Sequence, residues 1–298
     1  MAGVFDRRRL RRAFGRAAPA YAATAALQRE VEARLLDQLA VLEVARRPEP
    51  QRVLDLGSGP GRAAGAMKKR WPKAEVIAVD AALPMLREVP KHTRFWRPVK
   101  RVCADVSRLP FADRSADVLF SSLCLQWVDD LPSALREFRR ALRPDGLLLF
   151  TTFGPDTLHE LGDAYRAAGA VPPLSPFAPI QAIGDALVAA GFRDPVLERD
   201  HFTLTYPDLR ALMQELRTIG AADARSDRPR GLGGRARLHR VTAHYEALRR
   251  DGVLPSTWEV ITAMAWGPAD GAPLREGGSE LATFDAARIP VRRRTPGA

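Results

Sequence analysis

A chain of 298 residues with 46% apolar and 27% charged side chains has ordinary globular composition and enough length to bury a substantial core. No apolar run approaches the roughly 20 residues of a membrane-spanning helix, so a cytoplasmic protein with no membrane partner is expected. The 46 Lys and Arg exceed the 35 Asp and Glu, for a formal charge of +11, which favours anionic partners without naming one.

Residues 1–20 are Arg-rich and nearly free of acids, as in an organelle transit peptide. They run straight into a helical pattern, however: Leu27, Val31, Leu35 and Leu39 recur every four residues. We therefore read residues 6–43 as a mature helical arm and place its boundary at 1–43. From residue 51, strand and helix alternate. Arg52–Leu56, Glu75–Asp80, Val99–Ala104, Ala116–Leu123 and Leu147–Thr152 read as strands. Arg62–Arg70, Leu83–Val89 and Leu131–Leu142 read as helices, and Arg143-Pro-Asp-Gly146 as a turn. A further helix at Ile180–Ala190, a strand near Val196–Leu204 and a final strand at Thr257–Ala265 follow. Residues 207–250 form a helical insertion before the last strand, and residues 267–298 read as a disordered tail. Helices between strands imply parallel pairing with right-handed crossovers. The expected fold is α/β, a Rossmann-like doubly wound sheet of about seven strands over residues 44–266. Its ligands belong at the carboxyl ends of the strands.

Cys103 and Cys124 each stand alone in apolar surroundings. We expect two small buried thiols, no disulfide and no metal site. The five histidines show no metal-ligand spacing, and His159 and His201 read as structural or surface residues.

The strongest motif is Val53-Leu-Asp-Leu-Gly-Ser-Gly-Pro-Gly61, which leaves a strand and enters a helix. Gly57, Gly59 and Gly61 allow a sharp turn and a close ligand approach. A dinucleotide fingerprint would need Gly or Ala at position 62, where Arg62 stands. Asp55, two residues before the first Gly, would repel a pyrophosphate and attract a cation; the bland reading is a turn cap. Adenosylmethionine carries a sulfonium and an ammonium and lacks phosphate, so it suits this loop. Asp80 ends the second strand, where a carboxylate accepts ribose hydroxyls. Asp105, with the N–H of Val106, can read the adenine edge, and Ala81, Met85 and Leu86 can wall the base. Ser58 and Ser121 complete the expected cofactor set.

These motifs look like class I methyltransferases. The flanks resemble one family more narrowly, the malonyl-acyl-carrier-protein O-methyltransferases of biotin synthesis (BioC). The likeness lies in the arm Phe5-Asp-Arg…Phe14-Gly-Arg-Ala-Ala…Tyr21…Leu27-Gln-Arg-Glu and in Ser121-Ser-Leu-Cys-Leu-Gln-Trp127. It also lies in Gly154…Thr157-Leu-His-Glu-Leu161, Leu216-Arg-Thr-Ile-Gly-Ala221 and Leu254-Pro-Ser-Thr-Trp-Glu-Val260. It spans roughly residues 4–266. Ser58 stands where the family often has Cys, and Asp145 where Gly is usual. The resemblance implies S-adenosyl-L-methionine as methyl donor, no metal, and an acidic, malonyl-loaded acyl carrier protein as partner. The methyl would go to the free malonyl carboxylate, masking its charge so that the chain can be extended toward pimeloyl.

A carboxylate with a pKa near ~4 is ionised at neutral pH and needs no general base. Catalysis then rests on orientation and on excluding water. Tyr21 on the arm and Arg217 in the insertion are candidates to hold the substrate carboxylate; their bland readings are packing and a solvated helix face. Gln126 and Trp127 follow the fourth strand, where substrate approaches. The Arg-rich insertion, including Arg225, Arg228 and Arg230, is a candidate to steer the carrier. Rival readings are an assembly-factor-like arginine hydroxylase and a methyltransferase of a small metabolite such as a quinone precursor. A basic nucleic-acid module lacks zinc-finger spacing, an RNP-type strand or a basic helix.

Overall fold

The structure, a computed structural model, describes residues 5–219, 235–271, 274–276 and 279–281. Asp6 starts the first helix, α1 (Arg7–Thr24), by accepting the backbone N–H groups of Arg8 and Arg9 at 3.1 and 3.0 Å. That carboxylate satisfies orphan donors and complements the helix dipole. On α1, Ala17 and Ala18 are buried and Leu10 and Phe14 half-buried, whereas Arg8, Arg9, Arg12 and Arg16 are exposed. The next helix, α2 (Ala26–Gln38), buries Leu27, Val31 and Leu35, and Leu39 is buried just beyond its end. The four-residue spacing in the sequence is thus the inner stripe of this helix. A single turn, α3 (Val41–Val44), leads to the sheet.

The first half of the domain runs β1 (Arg52–Leu56), α4 (Arg62–Arg70), β2 (Glu75–Asp80), α5 (Leu83–Glu88), β3 (Lys100–Cys103) and β4 (Ala116–Ser121). The second half runs α6 (Leu131–Ala141), β5 (Leu142–Phe153), α7 (His159–Ala167), α8 (Ile180–Ala189), β6 (Arg193–Tyr206), α9 (Leu209–Thr218), α10 (Arg235–Glu246) and β7 (Leu254–Trp266). Seven strands form one sheet in the order β3-β2-β1-β4-β5-β7-β6. The pairs β1–β2, β2–β3, β1–β4 and β4–β5 are parallel; β7 runs antiparallel to both β5 and β6. The strand order reverses between β1 and β4, the crevice where α/β sheets bind ligands. Alternation sorts neighbours to opposite faces. Leu54, Leu119 and Phe150 join one core with Phe138 and Leu187. Val53, Phe120 and Leu149 join the other with Leu35, Leu39 and Met67. A third cluster, including Phe153, Leu212, Tyr245 and Trp258, lies under α9 and α10.

Several expectations change. The Arg143–Gly146 turn lies within β5 as an irregularity, because the register with β4 jumps from Leu142 to Leu147. Asp145 takes the left-handed conformation there (φ +56°). Its carboxylate accepts Arg47 at 3.3 Å and Arg193 at 2.9 Å, contacts that a glycine would lack. Within the segment read as a disordered tail, β8 (Leu274–Glu276) pairs antiparallel with β9 (Ser279–Leu281); residues 272–273, 277–278 and 282–298 lie outside the described ones. Cys103 is exposed, because β3 is the edge strand, and Cys124 is only half-buried. No helix is long and apolar enough to cross a membrane among the described residues.

Candidate active site

The three glycines of the β1–α4 turn have three different jobs. The N–H groups of Gly57 and Ser58 donate to the carbonyl of Val79 at 2.8 and 3.0 Å, tying the turn to β2. Gly57 has φ +69°, and a Cβ there would fall 2.2 Å from the Cys124 sulfur. Gly61 (φ +83°) is pressed against Val89, so it serves packing. At Gly59 (φ +52°) a Cβ would meet nothing within 4 Å. That open space is the crevice itself.

Two adjoining cavities share Tyr21, Gly57, Gly59 and Ser122. The first has about 850 Å³ of empty space, part of it open to solvent, within the range of small-molecule sites. Asp80, Ala81, Met85, Asp105 and Val106 line it on the sheet side, as the sequence led us to expect. Leu86 is buried beneath and does not line it. The second cavity is bounded by Asp55, Ser58, Gly59 and Arg62 on the core side and by Gln28, Arg29 and Glu32 of α2.

Each carboxylate is held by backbone donors. Asp80 accepts Gly59 N–H at 2.9 Å and Ala82 N–H at 2.7 Å. Asp105 accepts Ser107 N–H at 3.0 Å and pairs with Arg7 at 3.1 Å. Asp55 accepts Ala64 N–H at 3.0 Å, so the capping reading of this residue is part of its role. It nevertheless opens on the second cavity. Burial pushes the Asp80 carboxyl up to about 6. Burial, then the nearby Glu32 charge, pushes Asp55 well above the usual carboxylate range. Burial also raises Glu32, against a salt bridge from Arg62 at 3.1 Å. Three carboxylates are thus crowded at low dielectric around one turn, and a ligand bearing positive charge relieves that crowding.

The arm supplies the opposite wall. Arg7, Leu10, Arg11, Phe14 and Tyr21 line the first cavity from α1. Trp127 clasps this helix, with Phe5 and Phe14 edge-on to it at centroid distances of 5.7 and 5.6 Å. Arg7 adds bridges to Asp105 and, at 3.4 Å, to Asp129. These pairs are half-exposed and worth about 0–1 kcal/mol each, weak enough to open. Tyr21 stands where the cavities meet; burial and the facing Asp80 and Glu32 raise its hydroxyl pKa, so the phenol stays protonated. The amide oxygen of Gln28 is buried with no hydrogen-bond partner among the described residues, beside the second cavity.

Other expected residues lie elsewhere. Gln126 is outside both cavities: its amide donates to the Leu123 carbonyl at 2.7 Å and accepts Thr152 at 3.4 Å, which holds the loop after β4. Ser121 is fully buried and donates to the Leu56 carbonyl at 2.8 Å; its neighbour Ser122 is the one that lines both cavities. Arg217 is exposed near the end of α9 and lines neither cavity. Arg225, Arg228 and Arg230 fall outside the described residues. Sequence reasoning passed over Arg7, Arg11, Gln28, Arg29 and Glu32. The signal was present, because Tyr21, Gln28 and Glu32 follow one helical face across the α1–α2 junction. His201 and Asp156, 3.2 Å apart, meet the buried Glu259. Glu259 also accepts Asp156 N–H at 2.7 Å and faces Arg199 at 3.8 Å, so its oxygens tie the loop after β5 to the β6–β7 pair.

Comparison with known proteins gives this geometry a context. Residues 54–150 match the family model described as a methyltransferase domain. The chain is 52% identical over 295 residues to a malonyl-acyl-carrier-protein O-methyltransferase of Xylella fastidiosa, covering 99% of each chain. It is 42% identical over 282 residues to one of Gallionella capsiferriformans, covering 91% of this chain and 96% of that protein. Among solved structures, BH2331 of Bacillus halodurans superposes with a TM-score of 0.56 at 18% identity. It covers 78% of this chain and 99% of its own, and shows the fold alone.

Proposed function

The chain belongs to the malonyl-acyl-carrier-protein O-methyltransferase family, and we propose that it methylates the free carboxylate of a malonyl thioester on an acyl carrier protein, using S-adenosylmethionine. The observation that carries the donor is the group of carboxylates around the glycine turn, Asp55 buried and Glu32 and Asp80 half-buried, all three pushed up in pKa. When bound, adenosylmethionine supplies a methyl group on a sulfonium. Asp80 accepts the ribose hydroxyls. Asp105 and the Val106 N–H take the adenine edge, with Met85 and Ala81 against the ring. Gln28, Glu32 and Asp55 receive the ammonium, and Arg29 and the N–H groups of the turn receive the carboxylate.

The residues facing the methyl path fit a nucleophile that is already ionised. The Tyr21 hydroxyl, kept protonated, donates to one malonyl oxygen while the other attacks. Arg11, which lines the first cavity, attracts the malonyl carboxylate; Arg217 is exposed on α9 and lines neither cavity. Trp127, Phe14 and Leu10 exclude water from the path. The place of this ester in biotin synthesis is part of the same proposal. Incubation with labelled adenosylmethionine and malonyl- or acetyl-carrier protein tests it. Label should enter only the malonyl species, as a methyl ester identified by mass spectrometry; equal labelling of the acetyl species would refute carboxyl transfer.

A further inference from the structure

The helix that lines the first cavity carries, on its other side, a row of arginines that the chemistry above does not use. At 100° per residue, Arg8, Arg9, Arg12 and Arg16 fall within about 100° of arc, opposite Leu10, Phe14 and Tyr21. All four are exposed. None of their guanidinium groups has a hydrogen-bond or ion-pair partner among the described residues. Arg34, Arg52 and Arg143, by contrast, pair with Glu30, Glu75 and Asp117. The helix has no acid in its first turn, beyond its cap, to offset the row. Like charges at i,i+4 (Arg8 with Arg12, Arg12 with Arg16) weaken an isolated helix, so among the described residues the row has no pairing that offsets its own repulsion.

We propose that this outer face of α1 is the docking surface for the acidic carrier protein. The inference rests on the carrier-linked substrate proposed above and adds where the carrier sits. A helix with its side chains is about 10–12 Å across. A partner held on the outer face therefore presents its tethered thioester one helix width from the cavity lined by the inner face. Arg7 and Arg11, on the flank between the faces, mark the way in. Docking on α1 also presses the arm onto Trp127, so carrier binding and cavity closure favour each other.

The test replaces all four residues, Arg8→Gln, Arg9→Gln, Arg12→Gln and Arg16→Gln, because Gln keeps helix propensity close to that of Arg. Three quantities are read: kcat/KM on malonyl-carrier protein against ionic strength, adenosylmethionine affinity by calorimetry, and retention on vesicles of phosphatidylglycerol and phosphatidylcholine. The quadruple variant should lose at least tenfold in kcat/KM for the carrier substrate at low salt. Its salt dependence should flatten, and donor affinity should stay within twofold. Carrier turnover within twofold of wild type overturns the assignment. So does loss of donor affinity, which would make the row a brace for the arm. Vesicle binding that the variant loses, with carrier turnover intact, would assign the row to a lipid surface and equally overturn it. A wild-type protein that methylates no malonyl-carrier protein would refute the proposed function itself, a result separate from these.

Discussion

The two walls of the cavity are built by different physics. The sheet wall holds Asp55, Asp80 and Asp105 at or just beyond successive strand ends, each fixed by backbone N–H groups. Its strands lie in a core whose central side chains are fully buried. The arm wall is held near the mouth by two edge-on aromatic contacts and two half-exposed ion pairs. A site that must admit a donor, admit a substrate and then exclude water needs one wall that stays and one that opens. In the proposed function the sheet wall sets what is recognised, and the arm sets when the site is closed.

The comparison is most exposed to failure at Asp80. Asp80→Ala removes the acceptor for the ribose, and each charged hydrogen bond lost costs about 1.5–3 kcal/mol. Donor affinity should drop roughly tenfold to a hundredfold per bond, as read by calorimetry on a folded variant. Unchanged affinity would remove the sheet wall from the donor site.

Trp127→Ala addresses the arm. Two aromatic contacts of roughly 0.5–1.5 kcal/mol each are lost. Trypsin cleavage at the arginines of α1 should then accelerate about tenfold, while the melting temperature of the core shifts little. An equally protected α1 would show that the clasp lies elsewhere.

The fold and the sheet wall were legible in the sequence because regular spacing encodes them. Leu27, Val31, Leu35 and Leu39 announce an inner helical stripe, and Asp55, Asp80 and Asp105 recur at strand ends set by the βα repeat. Residues whose partners are distant in sequence were not legible. Nothing local to Gln126 shows that its amide will donate to the Leu123 carbonyl. Nothing local to Arg217 shows that α9 will leave it in solvent. Arg7 meets Asp105 and Asp129 across 98 and 122 residues, a pairing that only the docked arm creates. The turn at 143–146 was misread because a long β-strand can absorb an irregularity when Arg47 and Arg193 hold its Asp145.

A smaller effect is expected from pH. The Asp80 carboxyl is pushed up to about 6 by burial, whereas ribose hydroxyls and a nearby cation favour its ionised form. Donor binding should therefore release protons below pH 6. Affinity should fall by up to about tenfold per unit below that pH, and Asp55, raised as well and facing the ammonium, adds a fall in the same direction. Calorimetry in buffers of different ionisation enthalpy counts the protons directly; no proton release at pH 5.5 would contradict the assignment. Smallest is Tyr21→Phe. Loss of one hydroxyl donor, about 0.5–1.5 kcal/mol, should lower kcat/KM for the malonyl substrate two- to tenfold. Donor affinity should move less.

The central claim is that the sheet wall and the arm grip opposite ends of one donor molecule. A crystal structure with S-adenosylhomocysteine tests it most directly. The account predicts the ribose on Asp80, the adenine against Met85 with its edge at Asp105 and Val106, and the amino-acid end among Gln28, Arg29 and Glu32. A nucleoside bound with no contact to Asp80, or an amino-acid end held wholly by the sheet wall with the arm uninvolved, would contradict it.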